Sequence, residues 1–302
     1  MDRKFQVVGL GYCSMDHCCL VPEIPIDAKA SILDLLVQGG GPAATAVVAA
    51  ARLGARTAFL GAVGDDNAGE KILAELRKES VDVSGVVRRT GASSPIAYCW
   101  AEAKTGRRSI VWTKGGAMPL QPDEIRREII SSSRILHLDG HQTEAALDAA
   151  GQARNESVTV MLDAGTYHPY MDDIMALSNV VIASETFARD FTGGNDLKNA
   201  LRKIRERGPE WTVITRGKQG ALGFDGRNFI SQAAFKVNVV DTTGAGDVYH
   251  GAFAYRCLSS RDLADIMRFS SAAAAMKCRK LGGRSGIPSA REVGLFMEQD
   301  PS

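Results

Sequence analysis

The chain carries almost no net charge. Its 36 Lys and Arg stand against 35 Asp and Glu, leaving +1 with histidine neutral. That balance gives no electrostatic footprint for nucleic acid or an anionic membrane, so neither is expected as a partner. No apolar run approaches the roughly 20 residues that a membrane-spanning helix needs, and Met1-Asp2-Arg3-Lys4 lacks a following hydrophobic stretch. The expected location is the cytoplasm. The six cysteines, Cys13, Cys18, Cys19, Cys99, Cys257 and Cys278, include no C-x-x-C pair and read as reduced thiols. Cys13, His17, Cys18 and Cys19 match no metal-ligand spacing. Common nucleotide signatures are also missing. Gly9-Leu10-Gly11 opens like a dinucleotide fingerprint, but Ser14 stands at the third glycine. Gln219 after Lys218 breaks the Walker A spacing, and no His-Arg-Asp or Asp-Phe-Gly set marks a protein kinase.

What is present is material for one large core: 302 residues, 45% of them hydrophobic. Phe5 to Gly9 reads as a first strand, and Pro42 to Gly54 as a helix opened by proline and closed by glycine. From Pro122 onward, helical and extended segments alternate in the pattern of a mostly parallel sheet covered on both faces. Ligands of such sheets sit beyond the carboxyl ends of the strands, where Asp139, His141 and Asp163 fall. Two runs around Lys104-Thr105-Gly106 read as a hairpin, and the Leu20–Val37 stretch as an excursion from the core.

The most informative stretch is Val239-Val240-Asp241-Thr242-Thr243-Gly244-Ala245-Gly246-Asp247-Val248. A strand end meets a turn of small residues, and a helix begins at Gly246 or Asp247. Free N–H groups at such a start converge on one small space and stabilise an anion. Asp247 at its mouth is either a helix cap or a base that takes a proton from an attacking hydroxyl.

Asp-Thr-Thr-Gly-Ala-Gly-Asp resembles the C-terminal signature of the ribokinase-like (PfkB) carbohydrate kinases. The Gly39-Gly40-Gly41 block, with a helix ending Ala-Arg-Leu-Gly, resembles their other signature. The resemblance runs from Gly9 to Pro288. It implies a three-layer α/β/α fold with a mostly parallel central sheet and a small β-sheet lid. The core would span 1–14, 41–91 and 117–302, and the lid 15–40 and 92–116. It also implies ATP and Mg2+ as cofactors, with K+ beside the anion hole, and a homodimer through the lid. Asp247 becomes the catalytic base, with Gly244, Ala245 and Gly246 as the anion hole. Asp16, Gly40, Gly41 and Thr45 would hold the sugar, joined by Lys29 and His141. Ser184, Thr215, Gly217, Gly220 and Lys277 would serve the nucleotide. Asp241 and Thr243 match the monovalent-cation region. Two departures stand out. Thr45 replaces the usual Asn, and Ser184 and Phe187 replace both members of Asn-x-x-Glu, leaving Glu185 to take over the magnesium-water role. Several segments, among them Gly282-Gly283-Arg284-Ser285-Gly286-Ile287-Pro288, look most like the sulfofructose kinase subgroup, although His141 stands where an arginine for the sulfonate is expected. The expected function is ATP-dependent phosphorylation of a primary hydroxyl on a ketose or related small sugar. The alternatives are a kinase for a nucleoside or sugar acid, a binding regulator without turnover, and a dinucleotide-dependent oxidoreductase.

Overall fold

The structure, a computed structural model, describes residues 3–167 and 170–299. The two ends of the expected core segments, 1–2 and 300–302, lie outside the described residues. Among the described residues thirteen strands follow one another as β1 (Phe5–Leu10), β2 (Ser14–Val21), β3 (Asp34–Gly40), β4 (Thr57–Gly64), β5 (Val81–Arg89), β6 (Ile96–Glu102), β7 (Arg108–Thr113), β8 (Ser133–Leu138), β9 (Thr159–Ala164), β10 (Val180–Ser184), β11 (Trp211–Thr215), β12 (Ala221–Phe224) and β13 (Phe229–Gln232). Nine of them form one sheet in the order β13-β12-β11-β10-β9-β8-β1-β4-β5, and the other four form a second sheet, β3-β2-β6-β7. The large sheet is parallel from β11 to β5; β12 and β13 add an antiparallel edge.

Strands buried on both faces must be apolar at successive positions, because each face meets a helical layer. Val8, Leu10, Leu136, Leu138, Leu162 and Val181 point to a layer containing helices Thr143–Asn155, Met171–Leu177 and Leu197–Arg205. Their neighbours Val7, Ile135, Met161, Val180 and Ile182 point the other way, to helices Ala245–Cys257 and Leu263–Lys277. The result is the three-layer α/β/α fold.

Helix Pro42–Arg52 packs so closely on helix Ala245–Cys257 that a Cβ on Gly251 would run into the carbonyl of Ala46. This explains the alanine-rich face read from the sequence. The first helical segment after Pro122, expected from the sequence over Glu124 to Ser131, is a 3-10 turn, Pro122–Glu124, followed by a short helix, Arg127–Ser131. The small-residue pattern from Asp262 to Lys280 reads as one helix in the sequence; the helix runs from Leu263 to Lys277, where the N–H of Cys278 caps it.

Candidate active site

The parallel strands end at one edge of the large sheet, and helix Ala245–Cys257 begins there. Gly244 is its N-cap, with a φ of 72° that suits glycine, and a Cβ at that position would lie 2.8 Å from Cα of Gly283. The Ala245 N–H turns back to the carbonyl of Thr242 at 3.2 Å. The N–H groups of Gly244, Gly246 and Asp247 meet no acceptor among the described residues, and no atom lies within 4 Å of where a Gly246 Cβ would sit. Free N–H donors therefore face open space at the positive end of a 13-residue helix.

Asp247 projects beside it. Burial, then the nearby carboxylate of Asp163, push the Asp247 pKa up to about 6, against the pull of His250 and Arg108. Asp163, on β9, is raised to about 7 by burial and by Asp139. The His250 Nδ1 donates to the Gly246 carbonyl at 2.6 Å, since a carbonyl only accepts. The other ring nitrogen faces two oxygens, the Ile182 carbonyl at 3.3 Å and Asp163 Oδ1 at 3.5 Å. Asp163 and His250 thus face each other near Asp247, and the His250–Gly246 bond braces the first turn of the helix from inside.

The acceptor side is built from the second sheet. Ser14 pairs with Gly40 and Asp16 with Gln38 across β2 and β3. The Ser14 hydroxyl donates to Asp16 Oδ1 at 2.6 Å, and burial lifts the Asp16 carboxyl above its ordinary range against Ser14 and Arg284. A side chain on Gly40 would collide with the Asp16 carboxylate; one on Gly41, whose φ is 90°, would collide with the backbone of Tyr12. Asp139 draws these segments together, accepting from the N–H groups of Tyr12 at 2.7 Å, His141 at 3.0 Å and Ala43 at 3.1 Å. His141 is exposed, with its ring 5.3 Å from that of Tyr12, which meets Trp112 edge-on at 6.2 Å.

Thr45 is turned inward. It is 1% exposed, and its hydroxyl accepts from Arg284 Nε at 3.3 Å. Arg284, itself buried, donates from Nη2 to the Gly40 carbonyl at 3.0 Å. The threonine that replaces the usual asparagine therefore braces an arginine beneath the glycines. In the sequence Arg284 is only one member of a glycine-rich run, because its partners lie more than 200 positions away. Arg108, which the sequence offers beside Lys29 and His141 for an anionic substrate, lies on β7 and donates from Nη1 to Thr242 Oγ1 at 3.0 Å, tying the second sheet to the turn before Gly244. Lys29 lies exposed in an irregular stretch between β2 and β3.

On the nucleotide side, Ser184 caps helix Glu185–Thr192 by accepting from the Phe187 N–H at 2.9 Å, and Phe187 is fully buried. Glu185 pairs with Arg189 at 2.5 Å. Thr215 ends β11 and donates to the Ala183 carbonyl at 3.3 Å. Gly217 is open, with no atom within 4 Å of a Cβ position, whereas a Cβ on Gly220 would strike the Gln232 carbonyl. Gly220 closes the β11–β12 turn. Lys277 has no exposed surface and donates from Nζ to the Asp241 carbonyl at 2.8 Å. Burial lowers its pKa, and Asp241 opposes that shift. Asp241 Oδ1 accepts from Thr243 N–H at 2.8 Å and hydroxyl at 2.7 Å, and Oδ2 from Gly282 N–H at 2.8 Å. Among the described residues no cluster of three or more His, Cys, Asp or Glu is arranged to enclose a metal ion.

The family model for pfkB family carbohydrate kinases matches residues 4–290. The chain is 28% identical over 299 residues to the ribokinase of Haemophilus influenzae, an alignment covering 96% of this chain and 97% of that one. It is 25% identical over 324 residues to the 5-dehydro-2-deoxygluconokinase of Halalkalibacterium halodurans, with 99% and 96% covered. The solved structure of Arabidopsis thaliana ribokinase complexed with ribose and ATP matches with a TM-score of 0.83, covering 97% of this chain and 99% of that one. At 23% identity, that likeness speaks for the fold.

Proposed function

The chain belongs to the pfkB family of carbohydrate kinases and is a phosphotransferase, and from this premise we propose that it moves the γ-phosphoryl group of ATP to a primary hydroxyl of a ketose or related small sugar. The observation that carries this reading is the juxtaposition of Asp247 with unpaired N–H groups at one helix start. The acceptor lies against Gly40, Gly41 and Asp16, with Asp16 accepting from its hydroxyls. Its reactive oxygen approaches the γ-phosphorus in line, the new O–P bond forms as the bond to the β,γ-bridging oxygen breaks, and the hydroxyl proton passes to Asp247. The N–H groups of Gly244, Gly246 and Asp247 hold the migrating charge, and Arg108 adds a guanidinium from the lid. Magnesium, when bound with the nucleotide, neutralises the phosphate oxygens. Among the described residues no cluster of three carboxylates encloses an ion, so magnesium would be held mainly by the phosphates, with Glu185, now paired with Arg189, able to orient one of its waters.

Magnesium-dependent ADP release tests the reading across fructose and its phosphates, sulfofructose, tagatose, 2-keto-3-deoxygluconate, ribose and nucleosides. Turnover on a ketose is expected. ATP binding without turnover on any of them would favour a ligand sensor on the same scaffold. In the same assay Glu185→Gln is expected to raise the magnesium concentration needed for half-maximal rate severalfold; an unchanged requirement removes Glu185 from metal-water orientation.

The acid limb of the rate should follow Asp247. With its pKa raised to about 6, the base form is lost as pH falls through that value, so kcat/KM rises from pH 5 to 7. Asp163→Asn removes the like charge that helps raise it and is expected to move this limb to lower pH, read directly from the pH profile. His250, Arg108 and Asp16 also face Asp247 and are unchanged in that variant.

We also propose that the lid pairs two copies of the chain. Leu35, Val37, Tyr98 and Val111 lie exposed on the face opposite Asp16 and Gln38, in register across β3, β2, β6 and β7. Sedimentation is expected to give a dimer for the parent and a monomer for the double variant Val37→Lys, Tyr98→Lys.

A further inference from the structure

The family resemblance implies a monovalent cation beside the anion hole, with Asp241 and Thr243 among its ligands. The groups present do not fit that ion. A second cation here would have to share the Asp241 oxygens with an ammonium already seated on one of them, and the two like charges repel. Oδ1 accepts from the Thr243 N–H, Oδ2 accepts from the distant Gly282 N–H, and the backbone carbonyl takes the Lys277 ammonium at 2.8 Å. The Thr243 hydroxyl donates to the same Oδ1 as its N–H.

Lys277 is also walled in. It has no exposed surface, it closes the last turn of helix Leu263–Lys277, and a Cβ on Gly286 would strike its carbonyl, so the Leu281–Ile287 loop lies directly over it. The same loop delivers the Gly282 N–H to Asp241, and its Gly283 backs Gly244. Fully buried lysines are rare because the ammonium must leave water, and one is retained where an opposite charge and fixed dipoles meet it. Here those are the Asp241 carbonyl and the adjacent carboxylate, only a few residues before Gly244. A fixed positive charge thus stands at the base of the turn whose N–H groups face the cleft.

We propose that the Lys277 ammonium is the built-in monovalent cation of this anion hole, so that the protein binds nucleotide and turns over without potassium, sodium or free ammonium. The inference rests on the reading of the Gly244–Asp247 turn as the phosphate cradle. It assigns Lys277 to positioning that cradle through Asp241 rather than to touching the nucleotide.

The test compares potassium, sodium, ammonium and tetramethylammonium chlorides at equal ionic strength, reading melting midpoint, ATP affinity by calorimetry, and ADP release. For the parent chain, all three readouts are expected to agree among the salts within about twofold or one degree. A potassium-specific rise in melting midpoint, or a severalfold gain in ATP affinity, would overturn the proposal, and both are measurable whether or not a sugar substrate has been found. Absence of turnover in every salt would instead count against the kinase reading. Lys277→Ala is expected to weaken ATP binding at least tenfold in tetramethylammonium and to regain part of it in ammonium or potassium; Lys277→Gln, which keeps a donor without the charge, provides the same comparison should the alanine variant not fold. Parent-like ATP affinity in a folded variant, with no response to cations, would also overturn the assignment.

Discussion

Asp247→Asn is expected to lower kcat by about three orders of magnitude while ATP and sugar affinities stay within a few-fold of the parent. Asparagine is nearly isosteric and keeps a polar group at the helix start, so the cradle formed by the Gly244, Gly246 and residue 247 N–H groups persists. What disappears is the ability to accept the hydroxyl proton as the O–P bond forms. Removing a half-buried carboxylate that repels Asp163 should leave the melting temperature equal to the parent's or higher, which separates lost chemistry from lost fold. Steady-state kinetics with calorimetric nucleotide binding decides the matter. A variant turning over at the parent rate would remove Asp247 from the base role and return it to the plain helix cap that the sequence also permits.

Asp16→Ala is expected to raise the sugar KM by about a hundredfold, with ATP affinity unchanged. A charged acceptor contributes about 1.5–3 kcal/mol per hydrogen bond, and a carboxylate meeting two adjacent hydroxyls exceeds the 2.7 kcal/mol that a hundredfold represents. The geometry supports this, since Ser14 occupies Oδ1 on one side and Gly40 leaves bare backbone on the other. Because the carboxyl is raised by burial, its removal relieves an unfavourable charge, so the loss should appear in KM and not in the melting temperature. A variant with unchanged sugar KM would place the acceptor elsewhere in the cleft.

Much of this was legible in the chain. Period-two and period-3.6 patterns gave the alternation of strands and helices, since strands covered on both faces are apolar throughout and the helices between them are amphipathic. Turn chemistry located the Gly244–Asp247 helix start to within two residues. Strand β5 and the β12–β13 edge were missed. The β5 strand mixes Val81, Val83 and Val86 with Asp82, Ser84 and Gly85 and carries no clear period, and the β12–β13 hairpin is only four residues to a strand. At the site, residues brought together by local turns were readable, whereas those joined by tertiary packing were not. Nothing near Thr45 announces that its hydroxyl meets Arg284, nothing near Arg108 announces Thr242, and the Asp163–His250 pair joins a strand to a helix more than eighty positions on. Lys277 is the clearest case. A lysine at a helix C-terminus ordinarily reads as a solvated charge meeting the dipole, and only the loop folded over it shows it to be buried.

Phosphorus-31 NMR of the product formed with the best acceptor in the sugar panel bears most directly on the proposed reaction. In-line transfer to a primary hydroxyl gives one new phosphomonoester for each ADP released, with its phosphorus coupled to the two protons of a methylene group. Coupling to a single methine proton, or ADP accompanied only by inorganic phosphate, would contradict it.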